Sequence, residues 1–405
     1  MTVLADYAEF DGLHWETGTI RNVLAYQGVL APHTGKPYSE ALLLGVSGGA
    51  AFGYFLFDYQ DSVPIISLIT RNTFNPMDTI CERLGISQSI LQTNSPEIGH
   101  ANLLEVLEGG RPAIVWADVY SLPYNALPED ENNWGMMPLV VFGVDGAQVY
   151  IADRSRAPLV APLVAFERAR ARIKKFKFRV ISLDPPSERK LASAVQNGLW
   201  QCIRLYTEKP PKGARHNFGF AAYQRWGEML TNRRNPQSWR RFFPPGRLLF
   251  AALAGFDAVP GVYGWIRHWG AGDGAERGMY ADFLIEAAEI LNQAGLIEAA
   301  NLFRASQRAW CELSDAVLPD DVPLFKQTRA LLDRRHDLFI HRGGTALDEI
   351  GRINRSLVEI RAEAASDFPL NESQVTALFE EMKARLQKIH AIEVQAVTAM
   401  QDALV

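Results

Sequence analysis

The sequence predicts an α+β fold: a mostly antiparallel sheet with helices in the N-terminal region, then an all-α C-terminal region. Three observations lead there. Before Asp184-Pro185-Pro186, short runs rich in Val, Ile and Phe alternate with amphipathic stretches, so strand and helix periods are mixed. After it, apolar residues recur at helical spacing with almost no strand pattern. The chain's 405 residues, 48% apolar and 21% charged, are enough to bury more than one core.

In the first region, strands are expected at 53–57, 64–70, 112–118, 139–144, 149–153 and 176–183, each a short β-branched or aromatic run bounded by turn formers. Asp145-Gly146 separates two of them and tolerates positive φ, which predicts a hairpin. Helices are expected at 17–26, 39–44, 76–84, 98–108 and 163–174, with Ser39 ahead of Glu40 in the form of an N-cap. Beyond Pro186, residues 188–207 place Leu191, Val195, Leu199 and Cys202 on one helix face, although Gly198 interrupts them. Further helices are expected at 218–230, 248–256, 280–291 and 297–316, then at 322–340, 344–367 and 372–404. Asn371 with Gln374 forms a helix-start pair. The expected domains are 1–185, 186–320 and 321–405.

Composition excludes several classes. A net charge of −5, from 41 basic and 46 acidic residues, gives no global nucleic-acid signature. Three distant cysteines, Cys81, Cys202 and Cys311, exclude a disulfide scaffold and a Cys-rich zinc module. His336 and His341 are five apart, which does not suit a zinc site on a helix, so neither metal nor cofactor is expected. No apolar run approaches the roughly 20 residues of a bilayer span, and the start lacks a leader pattern. The expectation is a cytoplasmic protein with no membrane or nucleic-acid partner. The basic stretch 167–179 reads as an amphipathic helix with a solvated basic face. Asp282 and Glu286 share a helix face behind Arg277 and Tyr280, so they could act as acid and base, hold a cationic amine, or lock the helix to its neighbours. Arg267 lies in a polar–aromatic cluster with Trp265, His268 and Trp269.

The most unusual string is His14-Trp15-Glu16-Thr17-Gly18, followed by Ser39-Glu40, Gly48-Gly49, Leu122-Pro123-Tyr124, Val140-Val141-Phe142-Gly143-Val144-Asp145 and Val149-Tyr150-Ile151-Ala152-Asp153. This pattern resembles the butirosin biosynthesis protein H N-terminal domain family. Phe218-Gly219, Trp239, Arg277-Gly278-Met279-Tyr280-Ala281-Asp282, Glu286 and Trp310 are similar to the uncharacterised helical domain that usually follows it. The resemblance implies a papain-like, double-glycine-peptidase-like fold. It also implies an acyltransferase that moves an acyl group from a carrier-protein thioester to an amine. In that plan a Cys at a helix N-terminus is activated by the macrodipole. A His on a facing strand takes its proton, and a carboxylate or amide orients the His.

This chain departs from the plan twice. Trp15 stands where the family has Cys, and Met137 stands where the facing strand should begin with His. Indole is no nucleophile and a thioether no base. No His lies between His100 and His216, so the missing base does not depend on register. Asp153 remains as the triad-like residue, with His14 as a second catalytic candidate. Trp15, Glu16, Thr17, Tyr124 and Met137 are candidate ligand-binding residues of this domain; Arg267, Tyr280, Asp282 and Glu286 are those of the helical one. The expected function is that of a degenerate member, a pseudoenzyme that binds a ligand or partner without covalent catalysis. The alternative is acyl or amide transfer through a rearranged site. The partner candidates are an acyl carrier protein or a small-molecule amine. Apolar stripes such as Ile350, Ile353, Leu357 and Ile360 could also form a homo-oligomer through the C-terminal helices.

Overall fold

The computed structural model describes residues 2–59, 63–127, 135–256, 259–270 and 272–405. Its strands are β1 (Thr2–Val3), β2 (Ala50–Phe57), β3 (Ile65–Arg71), β4 (Gln88–Leu91), β5 (Ala113–Asp118), β6 (Met136–Asp145), β7 (Gln148–Ala152), β8 (Leu159–Pro162), β9 (Val180–Leu183), β10 (Gly255–Phe256) and β11 (Val259–Pro260). Its helices are α1 (Thr17–Tyr26), α2 (Glu40–Val46), α3 (Pro76–Leu84), α4 (Pro96–Glu108), α5 (Leu163–Ala171), α6 (Leu191–Thr207), α7 (Gly219–Thr231), α8 (Trp239–Phe242), α9 (Arg247–Ala254), α10 (Val262–Arg267), α11 (Arg277–Leu291), α12 (Leu296–Val317), α13 (Pro323–Arg342), α14 (Leu347–Ser366) and α15 (Glu372–Leu404). The α+β class and the helical C-terminal region are as the sequence predicts. No helix among the described residues is long and apolar enough to cross a membrane.

The chain forms two compact units, each discontinuous in sequence. Met1–Leu43, Met77–Ala194 and Arg335–Arg352 make the first; Leu44–Pro76, Val195–Arg334 and Ile353–Val405 make the second.

The first unit is built on an antiparallel sheet in the order β4-β9-β5-β6-β7-β8, with β1 added to β6. β5 is buried along its whole length, which is why it reads as an apolar run over Ala113–Ala117, closed by the buried Asp118. Asp145-Gly146 turns β6 into β7 with Gly146 at φ 55, as the sequence predicts. Gly143 is required by β1: a Cβ there would lie 2.9 Å from the Val3 side chain. Ile20, Val23 and Leu24 of α1 are fully buried. The basic stretch departs from the expected amphipathic helix, because α5 ends at Ala171 and its basic face is not fully solvated. Arg170 is fully buried, donating to Glu167 and to the Gly99 and Phe178 carbonyls. Pairing with Glu167 and the bonds from both terminal nitrogens offset such burial, although Arg170 Nε has no hydrogen-bond partner among the described residues.

The second unit is helical, with the β2–β3 hairpin packed into it. Phe52 stacks on Tyr223 at 4.1 Å, Tyr54 stacks on Trp226 at 5.6 Å, and Trp239 Nε1 donates to the Tyr54 hydroxyl at 2.9 Å. Gly198 is explained here: a Cβ would lie 2.2 Å from the Gly45 carbonyl oxygen, so the residue lets two backbones approach. At the centre, Arg277 and Glu393 form a fully buried ion pair at 2.8 Å. Tyr206, Tyr223, Ser306 and Trp310 donate to the same carboxylate. Asn371 and Gln374 form the predicted capping box at the start of α15.

Candidate functional site

The site lies in the first unit, where the segment before α1 approaches the turn after β7. Glu40, at the start of α2, clamps that segment. Its carboxylate accepts from the Leu13 and His14 backbone N–H groups at 2.7 and 2.9 Å, and from the Thr17 hydroxyl at 2.8 Å. Ser39 accepts from the Leu42 N–H at 2.9 Å, the cap expected from sequence. Gly18 sits against Gly12, where a Cβ would fall 2.6 Å from the Gly12 carbonyl carbon. The Thr-Gly and Ser-Glu pairs of the sequence pattern therefore hold one backbone segment in place.

That segment presents His14 and Trp15, both buried. His14 Nδ1 accepts from the Glu16 N–H at 3.2 Å, which commits that nitrogen as an acceptor. Trp15 immediately precedes Glu16, the N-cap position of α1. The Thr19 hydroxyl donates to the Trp15 carbonyl, tying Trp15 to the first turn.

Asp153 follows β7 and its side chain is 1% exposed. The carboxylate accepts from the Tyr124 hydroxyl at 3.0 Å and from Arg154 Nε and Nη2 at 2.9 and 3.1 Å. Arg154 Nη2 also donates to Asn125 Oδ1 at 2.8 Å. The guanidinium lies 4.4 Å over the Trp15 ring and 4.9 Å from the Phe339 ring of α13. It is thus held between two aromatic faces and a carboxylate. Arg154 adopts φ 51, the left-handed region. Burial, then the neighbouring Asp153, pushes the Tyr124 phenol well above its usual range, so it stays a donor.

His14, Trp15, Thr17, Tyr124 and Asp153 are thus linked by direct bonds or by shared partners, through Glu40 on one side and Arg154 on the other. Glu16 contributes its backbone N–H. Met137 is half-buried on β6, opposite Ala117 of β5. The remaining predicted residues belong to the second unit. Arg267 pairs with Asp273 at 2.8 Å and Asp315 at 3.5 Å. Tyr280 is fully buried against Phe283 and Phe303. Asp282, half-exposed, pairs with Arg304 of α12, and Glu286 lies one turn on from it. Tyr280 and the Asp282–Glu286 pair therefore occupy opposite faces of α11. Arg154, Asn125, Phe339 and Glu393 were missed as functional or structural centres. The available signals were an Arg directly after Asp153 and a Glu set in the apolar stripe Ile389, Ala396, Val397, Met400.

The thiols offer no substitute nucleophile. Burial pushes Cys81 up to about 12, helped by Asp78; burial does the same to Cys202; and burial with Asp273 does so to Cys311. At neutral pH such thiols stay protonated. Among the described residues, no group of three or more His, Cys, Asp or Glu is placed to hold a metal ion.

Residues 14–154 match the family model described as butirosin biosynthesis protein H, N-terminal. No curated protein matches the chain. The matched segment opens on His14-Trp15 and closes on Asp153-Arg154, the two stretches that meet in the site. Over residues 14–154 the chain is therefore similar to the butirosin biosynthesis protein H N-terminal domain.

Proposed function

We propose that this domain is a catalytically degenerate member of a biosynthetic acyltransferase-like family, which binds its ligand or partner without covalent catalysis. The observation that carries this reading is the state of Asp153. In the plan the resemblance implies, a carboxylate orients an imidazole between itself and a cysteine. Here the Asp153 carboxylate is taken by Arg154 and Tyr124, and the guanidinium lies over the indole in the cysteine's position. A guanidinium stays protonated across the working pH range and cannot serve as a general base. His14 has one ring nitrogen committed to a backbone N–H, and all three thiols are held far from ionisation.

The test is intact-mass measurement after incubation with acyl-thioester donors, with the Trp15→Cys, Met137→His variant run in parallel. No acyl adduct is expected on the unmodified chain. A stoichiometric adduct there would overturn the reading and return the protein to the acyltransferases.

A further inference from the structure

We propose that Trp15, Phe339, Asp153 and Asn125 form a guanidinium-binding site. Arg154 fills it from within the chain, and an external guanidinium-bearing ligand takes it when Arg154 leaves. The inference rests on the reading of this cleft as a non-covalent binding site and names the chemistry of what binds.

Three features support it. The first is the recognition itself. Two ring faces, 4.4 and 4.9 Å away, flank a planar cation, while a carboxylate takes two of its N–H groups and an amide oxygen takes a third bond. A planar fork of donors uses this arrangement fully; a compact ammonium cannot.

The second is the difference between the cage and its occupant. Trp15 is fixed beside α1, Phe339 lies on α13, and Tyr124 holds the Asp153 carboxylate at 3.0 Å independently of Arg154. Arg154 itself sits at φ 51, a backbone region that non-glycine residues rarely adopt. Return of its backbone to the extended region would carry the side chain away from the cage. The cage's walls would remain.

The third is access. The Arg154 side chain is 19% exposed although the Asp153 side chain is 1% exposed, so solvent reaches the site on the Arg154 side. A free guanidino compound and an arginine side chain of a peptide share the same recognising chemistry.

The experiment uses the full chain and its Arg154→Gly variant, because glycine suits the positive φ and preserves the turn. Each is titrated with methylguanidinium chloride and with methylammonium chloride at constant ionic strength. The readout is the Trp15 indole resonance, assigned by its loss in Trp15→Phe. In Arg154→Gly, methylguanidinium is expected to give a saturable shift at least about tenfold tighter than methylammonium, and at least about tenfold tighter than in the unmodified chain. Adding Asp153→Asn abolishes it. Equal response to the two cations, or no saturable shift, overturns the proposal.

If Arg154→Gly does not fold, the unmodified chain is titrated with agmatine and with the peptide Gly-Arg-Gly, and the Arg154 Nε–H resonance is followed. Its displacement by either one supports the site, and the tighter competitor names the source. An unmoved resonance with both overturns it. These titrations contain no acyl donor. An acyl adduct in the mass experiment therefore removes the non-covalent reading without touching the cage, and a failed titration removes the cage alone.

Discussion

Replacing Glu393 by Gln is expected to cost the helical unit about 3–5 kcal/mol, because it leaves Arg277 buried without its counter-charge. Both residues are fully buried in the native unit. Oε1 accepts from Arg277 Nε at 2.8 Å, Ser306 at 2.6 Å and Trp310 at 3.0 Å; Oε2 accepts from Tyr206 at 2.7 Å and Tyr223 at 2.5 Å. An amide presents an NH₂ group to one of these donor sets. A second route gives a similar figure. Burial alone would raise the Glu393 carboxyl, but the Arg277 charge and the bonds from Arg277, Ser306 and Tyr223 outweigh it and hold it at about 2 against an ordinary 4.5. That gap corresponds to about 3 kcal/mol. The folded value lies below the unfolded one, so the contribution is complete above the unfolded pKa and is lost as pH falls through about 2. Urea unfolding at pH 7, read by tryptophan fluorescence, should show a midpoint lower by about 1–2 M for a slope near 3 kcal/mol/M. The difference from the unmodified protein should shrink progressively on acidification below 4.5. A loss under about 1 kcal/mol, or a difference that does not change with pH, would refute the reasoning.

Two further substitutions probe the segment that carries Trp15. Gly18→Ala places a methyl 2.6 Å from the Gly12 carbonyl carbon and 2.8 Å from the Leu13 nitrogen, both backbone atoms. It should cost at least the ~1–3 kcal/mol of overpacking, and an unchanged melting temperature would show that the two backbones can part freely. Glu40→Gln removes the charged acceptor shared by Leu13, His14 and Thr17, for a loss of about 1.5–3 kcal/mol. Hydrogen exchange at the Leu13 and His14 amides should accelerate by about tenfold or more; unaltered exchange would mean that Glu40 does not hold the segment.

Local signals located elements well where the pattern was strong. α1 starts and stops where its pattern places it, at Thr17–Tyr26, and α15 where its pattern and the Asn371–Gln374 pair place it, at Glu372–Leu404. β4 and β8 were missed for physical reasons. Gln88-Ser89-Ile90-Leu91 is a half-exposed edge strand with little apolar alternation, and Leu159-Val160-Ala161-Pro162 is short and ends in proline. The grouping of the β2–β3 hairpin with the helices was not legible at all. Phe52 and Tyr54 read as ordinary strand residues, and only their tertiary partners Tyr223 and Trp226 decide which core they enter. The Arg277–Glu393 pair shows the same limit: each residue is visible, but their meeting across 116 positions is not.

At the candidate site, sequence supplied the departures and structure supplied what they require. A carboxylate as buried as Asp153 needs donors, and an imidazole would be one. On the proposed reading, in which Met137 stands in place of the family's histidine, that donor is absent and the need falls on whatever else can reach. Tyr124 gives one hydrogen bond and Arg154 gives two together with the counter-charge. The guanidinium then needs its own surroundings, and the indole of Trp15 offers a ring face where a thiol would offer none. On this reasoning the unusual residues are mutually dependent: Trp15 seats Arg154, Arg154 satisfies Asp153, and Asp153 no longer requires a histidine. A cysteine and a histidine restored at positions 15 and 137 would meet a carboxylate already occupied. Recovery of acyl transfer would therefore also require removing Arg154, a residue that no motif marks and that only the geometry brings into the site.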